Sequence, residues 1–169
     1  MTYHRVTIGP EATHMPRVRP ATPADLEALV AGNADMAAET EHLQLDLATV
    51  RLGVAAVLEG RVPGRYWMAE DDGRVVGQLL ITYEWSDWRN RQVWWIQSVH
   101  VAREARRLGV FRALYAHVRG EAQAAGAGGL RLYVDDTNTR AQAVYASLGM
   151  NGGHYRVFED MFAEPAKLA

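Results

Sequence analysis

Cysteine is absent from all 169 residues, which excludes a disulfide framework, a thiol nucleophile and cysteine-ligated zinc. No apolar run approaches the roughly 18–20 residues of a membrane-spanning helix, and no signal-peptide core opens the chain, so the expected location is the cytoplasm. Basic charge is not in excess: 18 Lys and Arg stand against 20 Asp and Glu, a formal net charge of −2. That balance argues against general nucleic-acid binding. Neither a Walker loop G-x-x-x-x-G-K-[ST] nor a dinucleotide fingerprint G-x-G-x-x-G occurs. H-E-x-x-H is missing too, and His4, His14, His42, His100, His117 and His154 are too dispersed for a metal site.

What is present is a chain of globular composition, 49% hydrophobic and long enough for one domain with a real core. Residues 1–16 show no clear period and read as a loose leader. Arg17-Val18-Arg19 reads as a short strand. Thr22-Pro23-Ala24-Asp25 then supplies a hydroxyl cap, a proline at the first helical position and an acidic residue in the first turn. Leu26, Leu29 and Val30 form the buried face of that helix. Leu47, Val50, Val54, Val57 and Leu58 mark a second helical region ending near Gly60, to which the Glu39-Thr40-Glu41 cluster is assigned. Tyr66–Ala69 and Val75–Thr82 read as strands joined through Asp71-Asp72-Gly73, a hairpin signal. A loop from Trp85 to Arg91 leads to the strand Val93–Val101.

The turn Arg106-Arg107-Leu108-Gly109-Val110-Phe111 lies between that strand and a helix with Val110, Ala113, Leu114, His117 and Val118 at helical spacing. A basic, glycine-bearing turn that opens a helix leaves unpaired N–H groups at the positive end of the helix dipole, a natural cradle for phosphate oxygens. About thirty residues on come the strand Leu130–Val134, then Asp135-Asp136-Thr137-Asn138, then a helix carrying Ala141, Val144, Tyr145 and Leu148. Gly149 stands where a helix end favours a left-handed residue. One strand, His154–Phe158, completes the order β-α-α-β-β-β-α-β-α-β. The fold class is α/β: a mixed, splayed central sheet with helices on both faces.

From about Arg17 to Phe158 the chain resembles the GNAT superfamily of acyl-CoA-dependent N-acetyltransferases. The family's first motif, V-x-P-x-x-R-x-x-G-x-G/A, is matched by Val101, Arg106 and Gly109. Its second, N-x-x-A-x-x-x-Y-x-x-x-G-F/M, is matched by Asn138, Ala141, Tyr145, Gly149 and Met150. Arg103 replaces the usual proline, and Phe111 the usual small residue of the phosphate turn. The resemblance implies one acetyltransferase domain over 17–162, with 163–169 as a tail.

It also implies acetyl-CoA bound in a gap between the Trp95–Val101 and Leu130–Val134 strands. The N–H groups of Arg106, Arg107, Leu108, Gly109, Val110, Phe111 and Arg112 would hold the pyrophosphate. Main-chain groups of Val99 and Val101 would hold the pantetheine arm, joined by Asn138. An N–H near Gln97–Val99 would polarise the thioester carbonyl. Tyr145 is the expected general acid, since a phenol of pKa about 10 can protonate a thiolate of similar basicity.

An alkyl amine of pKa about 10 is only about one part in a thousand neutral at neutral pH, a handicap of ~4 kcal/mol that a carboxylate can relieve. Glu84, at the end of the third strand, is the candidate base. Glu39 and Glu41 are candidates for the acceptor side. Trp94 and Trp95 must face opposite sides of their strand, so at least one is core. Trp85 and Asp87 either wall an acceptor pocket, suiting a cationic amine, or simply pack. The expected activity is direct transfer to an amine, a small molecule rather than a protein. A non-catalytic acyl-CoA sensor on the same fold and an O-acyl or longer-chain transferase remain open. A homodimer is compatible with the short segment after Gly149.

Overall fold

The structure, a computed structural model, describes residues 15–153, 155–163 and 165. The expected leader is therefore described only at residues 15 and 16, and most of the expected tail lies outside the described residues. In chain order the elements are β1 (Arg17–Pro20), α1 (Leu26–Thr40), α2 (Leu47–Leu58), β2 (Arg65–Asp71), β3 (Arg74–Ser86), β4 (Arg91–Val101), α3 (Val110–Ala124), β5 (Gly129–Arg131) and α4 (Thr139–Ser147). The five strands form one sheet in the order β1-β2-β3-β4-β5. β1 to β4 pair antiparallel, and β5 runs parallel to β4.

Local chemistry sets several boundaries. Thr22 and Asp25 form a capping box around a 3₁₀ turn with Pro23 at its start, and α1 grows from it. The Asp46 carboxylate caps α2 by accepting from the N–H groups of Ala48 and Thr49. Asp71 pairs with Arg74 across the two-residue turn Asp72-Gly73, the tightest hairpin connection.

Strand alternation divides the core into two layers. Trp67, Ala69, Leu79, Ile81, Trp94 and Ile96 face α3, where Leu114 and Val118 are fully enclosed. Tyr66 and Met68 face the opposite way, against Leu29 and Val30 of α1 and Val54 of α2. Helices thus cover both faces of a mixed sheet, as the sequence pattern implies.

Four boundaries differ from the sequence-based expectation. β3 runs on through Tyr83 and Trp85 because both strands of the β3–β4 hairpin continue to pair as far as Ser86 and Arg91; the expected loop shrinks to 87–90. Glu39 and Thr40 close α1 and Glu41 is its C-cap, so this cluster does not belong to the second helix. β5 is only three residues long because its pairing with β4 stops at Trp95 and Arg131. Residues 155–158 have no strand geometry, and His154 lies outside the described residues. A lone strand is not stable without a neighbour, and β5 offers a very short edge.

At the start of α1 the Asp25 carboxylate, 7% exposed, accepts two hydrogen bonds of 2.8 Å from Arg19. Glu70 accepts from the same guanidinium at 2.6 and 2.8 Å. The Arg19 hydrogen bonds, supported by Thr22 and opposed by burial, pull the Asp25 pKa down to about 2 from 3.8. Between those values the unfolded chain binds the proton and the folded one does not. The stabilisation is therefore complete above about pH 4 and disappears as pH falls through about 2. It amounts to about 2 kcal/mol. Thermal melts of Asp25→Asn should show a lower Tm at neutral pH and a flatter acid limb; parallel pH profiles for variant and parent would refute this.

Candidate active site

Pairing of β4 with β5 ends at Trp95 and Arg131, and beyond that rung the two chains part. The register of β4 against β3 also shifts between Gln78 and Leu80, with one more residue on β4 than on β3. This bulge contains Ser98 at φ 49°. Bulges bend and re-aim a strand, and here the outward edge of β4 from Gln97 to Val101 is left without a strand partner among the described residues.

At the end of β4 the chain passes through a 3₁₀ turn at Arg103–Ala105 and enters the basic turn. Arg107 (φ 68°) and Gly109 (φ 82°) both adopt left-handed conformations. Alternating hands of this kind turn successive N–H groups towards one concavity, an anion-binding nest. The first helical hydrogen bond of α3 runs from Ala113 N–H to Gly109 C=O at 2.9 Å. The N–H groups of Val110, Phe111 and Arg112 therefore precede the helical ladder and are available to a ligand.

A cavity of about 660 Å³ lies between this turn, the unpaired end of β4 and α4. Val99, His100 and Val101 form one wall; Asn138, Arg140, Ala141, Val144, Tyr145 and Ser147 form another; Met36, Glu39 and Thr40 of α1 close the rim. The volume falls within the usual range for ligand and cofactor pockets. The structure thus brings Val99, Val101, Arg106, Arg107, Gly109, Val110, Phe111, Arg112, Asn138 and Tyr145 to one cavity. Leu108 belongs to the same turn and is 61% exposed.

Individual groups have defined tasks. The Asn138 side-chain oxygen caps α4 by accepting from Ala141 N–H at 3.0 Å, which leaves its amide donors for other partners. The Tyr145 ring meets Phe111 edge to face, with centroids 5.5 Å apart. Burial raises the Tyr145 phenol above its ordinary pKa, so it is protonated at neutral pH. Phe111 also packs beside Tyr115 at 6.2 Å; the residue that departs from the motif shapes the aromatic wall around Tyr145.

Glu39 reaches the cavity but is already engaged. It accepts from Arg103 at 2.8 Å and from Arg106 at 2.5 Å, and this pairing, Arg106 foremost, lowers its pKa. Arg106 also donates to Val101 C=O at 3.0 Å. Glu39 therefore clamps the end of α1 to the basic turn. Glu41 is exposed and does not line the cavity.

Glu84 lies on the sheet face that bears α1 and α2; its backbone pairs with Val93, and its side chain reaches Trp95 and Arg131, the last rung before the strands part. It accepts from the Trp95 indole at 2.6 Å and from Arg131 at 2.7 Å. Arg131 stands over the Trp95 ring, and Tyr133 packs beside that ring at 5.9 Å. Trp94 faces the other way, buried against Tyr83. Trp85 is 57% exposed, and the Asp87 side chain accepts from Trp88 N–H in the β3–β4 turn. Trp85 pairs with Gln92, about 30 Å along β4 from Val101 at strand rise. The structure does not bring Glu84, Trp85 or Asp87 to the cavity.

Sequence reasoning missed Met36, Thr40, Arg140 and Ser147. Arg140 had a usable signal, a basic residue in the first turn after the Asn138 cap; the other three carry none. Among the described residues no cluster of His, Asp and Glu is arranged to hold a metal ion. Within the same residues no helix is long and apolar enough to cross a membrane.

Comparison with known proteins follows the same lines. The model of the acetyltransferase (GNAT) family matches residues 35–150. A search of curated proteins finds no match. Among solved structures, a possible acetyltransferase from Clostridium difficile 630 is 36% identical, with a TM-score of 0.81 over 89% of this chain and 100% of that one. A probable acetyltransferase at 22% identity has a TM-score of 0.78 over 88% of this chain and 99% of its own. A predicted acetyltransferase with acetyl-CoA from Clostridium acetobutylicum, 14% identical, has a TM-score of 0.71 over 86% of this chain and 96% of its own. The latter two speak for the fold alone. With its parted strands, its nest at Gly109 and a family match over most of its length, the chain belongs to the GNAT acetyltransferase family.

Proposed function

We propose that this protein is a cytoplasmic N-acetyltransferase that passes the acetyl group of acetyl-CoA directly to the amine of a small molecule. The observation that carries the reading is the cavity that runs from the nest at Gly109 to Val99 on the unpaired edge of β4, with Asn138 and Tyr145 in its wall. Acetyl-CoA supplies an activated thioester; the chain's own groups do the rest. The N–H groups of Arg107 and of Gly109 to Arg112 hold the diphosphate, those of Arg106 and Leu108 being engaged by Arg103 C=O and Ala105 C=O; Arg107, Arg112 and Arg140 add positive charge. The free edge at Val99 and Val101 pairs with the amide-bearing arm, and Asn138 donates to it.

An N–H of the bulge between Gln97 and Val99 stabilises the carbonyl oxygen as the amine adds, a contribution of roughly 3–4 kcal/mol per donor. The amine approaches from the opposite face, where Glu84, Trp95, Arg131 and Tyr133 stand. Glu84 uses two of its lone-pair sites on Trp95 and Arg131 and keeps others for the ammonium proton. A C–N bond forms, the C–S bond breaks, and Tyr145 gives its proton to the departing thiolate. The near-balanced charge favours a small acceptor over a highly charged protein segment.

Release of free CoA thiol should be saturable with at least one class in a panel of primary amines, and absent with matched alcohols. A protein that binds acetyl-CoA yet releases thiol with every amine only at the rate seen in water would instead be a binding module.

A further inference from the structure

His100 is a titratable group that the reaction scheme does not use, and the β4 bulge decides which way it faces. Upstream of the bulge, Trp94 and Ile96 belong to the layer against α3. Trp95 and Gln97 face the other way, where the Gln97 amide donates to the Thr82 hydroxyl at 2.6 Å. Strict alternation would send His100 to the α3 side with Trp94 and Ile96. The extra residue at Ser98 reverses that order. Val99 and Val101 now pack with the α3 layer. His100 instead pairs with Gln78, whose side chain donates to Leu29 C=O of α1 at 3.2 Å. The imidazole therefore shares a sheet face with Glu84, Trp95 and Gln97, the face by which the amine approaches.

Two hollows meet at this residue. One is the large cavity, where His100 stands between Val99 and Val101. The other, of about 150 Å³, lies between α1 and β3 and is lined by Ala28, Ala31, Gly32 and Asp35 on one side and by Gly77 on the other. That volume is enough for several waters, and Asp35 at its edge is exposed. His100 is half-buried, and among the described residues no hydrogen bond holds its ring. Burial keeps the imidazole below its ordinary pKa; Arg106 acts in the same direction, and Asp35, Glu39 and Glu104 oppose it. The ring is therefore mostly neutral at neutral pH and free to accept a proton. Glu84, engaged by Trp95 and Arg131, lies outside the cavity.

We propose that His100 is a catalytic residue that takes the proton released as the amine attacks and passes it to water through the hollow beside Asp35. The inference rests on the acetyltransferase reading of this site. Glu84 meets the incoming ammonium; His100 acts at the reacting end of the same face. As the amine nitrogen bonds to the acetyl carbon, one N–H proton moves to a ring nitrogen of His100, directly or through one water. The C–S bond breaks and the sulfur takes the Tyr145 proton. His100 has then gained one proton and Tyr145 has lost one, and exchange with solvent resets both.

Thiol release at saturating acetyl-CoA and amine, followed from about pH 5 to about pH 9, tests this. In the parent, kcat should fall as pH drops below the ordinary imidazole range, about 6.5. His100→Gln keeps a polar side chain of similar reach. It should lower kcat at neutral pH about 100-fold, abolish the acid limb, and leave the calorimetric Kd for acetyl-CoA within about three-fold. A variant that binds acetyl-CoA and retains the acid limb, with or without a loss of kcat, would overturn this inference alone. A parent that releases no thiol with any amine would overturn the acetyltransferase reading and this inference with it. If His100→Gln fails to fold, ¹⁵N NMR of the parent with bound acetyl-CoA decides. One imidazole should titrate with the midpoint of the kcat profile, and the absence of any such histidine would overturn the proposal.

Discussion

Tyr145→Phe is expected to lower kcat for acetyl transfer about 100-fold, while Kd for acetyl-CoA stays within about two-fold. The change removes one oxygen from a half-buried ring whose edge-to-face contact with Phe111 does not need it. Binding and folding should therefore survive. What disappears is the proton for the departing thiolate. Because burial raises the Tyr145 pKa, the phenol is fully protonated at neutral pH, and the parent's rate should decline only when pH rises above the ordinary phenol range. Steady-state rates from thiol release, paired with calorimetric Kd, check both halves. An unchanged kcat would remove Tyr145 from the mechanism.

Gly109→Val should have the second large effect, on affinity rather than rate. Gly109 sits at φ 82° as the N-cap of α3. Among the described residues a Cβ there would meet only the Met15 sulfur, at 3.9 Å. The penalty is therefore conformational, about 1–3 kcal/mol for holding a branched residue in the left-handed region. The turn either retains that strain or escapes it by rotating its N–H groups away from the cavity. Rotation would weaken acetyl-CoA about 10- to 100-fold. Undiminished affinity in a folded variant would mean that the nest does not hold the diphosphate.

Much of this site was legible because its signals are local. A glycine preceded by arginines at the start of a helix, or an Asn three residues before an Ala on the next helix, announces a backbone conformation wherever the chain lies in space. Arg106 and Gly109 were found that way, and the Asp72-Gly73 hairpin likewise; Asn138 and Tyr145 stood out through the resemblance to the family's second motif. The strand period also separated Trp94 from Trp95. Long-range consequences of register were not legible. Whether Trp85 and Asp87 could wall an acceptor pocket or simply pack depends on how far the β3–β4 pairing extends, and it extends to Ser86 and Arg91. Glu39 does reach the cavity, but its pairing with Arg103 and Arg106 at the end of α1 was not legible in the sequence. The bulge at Ser98 depends on the register of β4 against β3, and no pattern in the letters announces it. The expected strand at His154–Phe158 rested on residue preference alone, and preference does not supply a neighbour.

Isothermal titration with two ligands, acetyl-CoA and S-acetylpantetheine, tests the central claim most directly, because only the first carries the diphosphate. Saturable micromolar binding of acetyl-CoA, with the shorter thioester at least about 100-fold weaker, is the predicted result. No saturation by acetyl-CoA at millimolar concentration, or equal affinity for the two, would contradict the account.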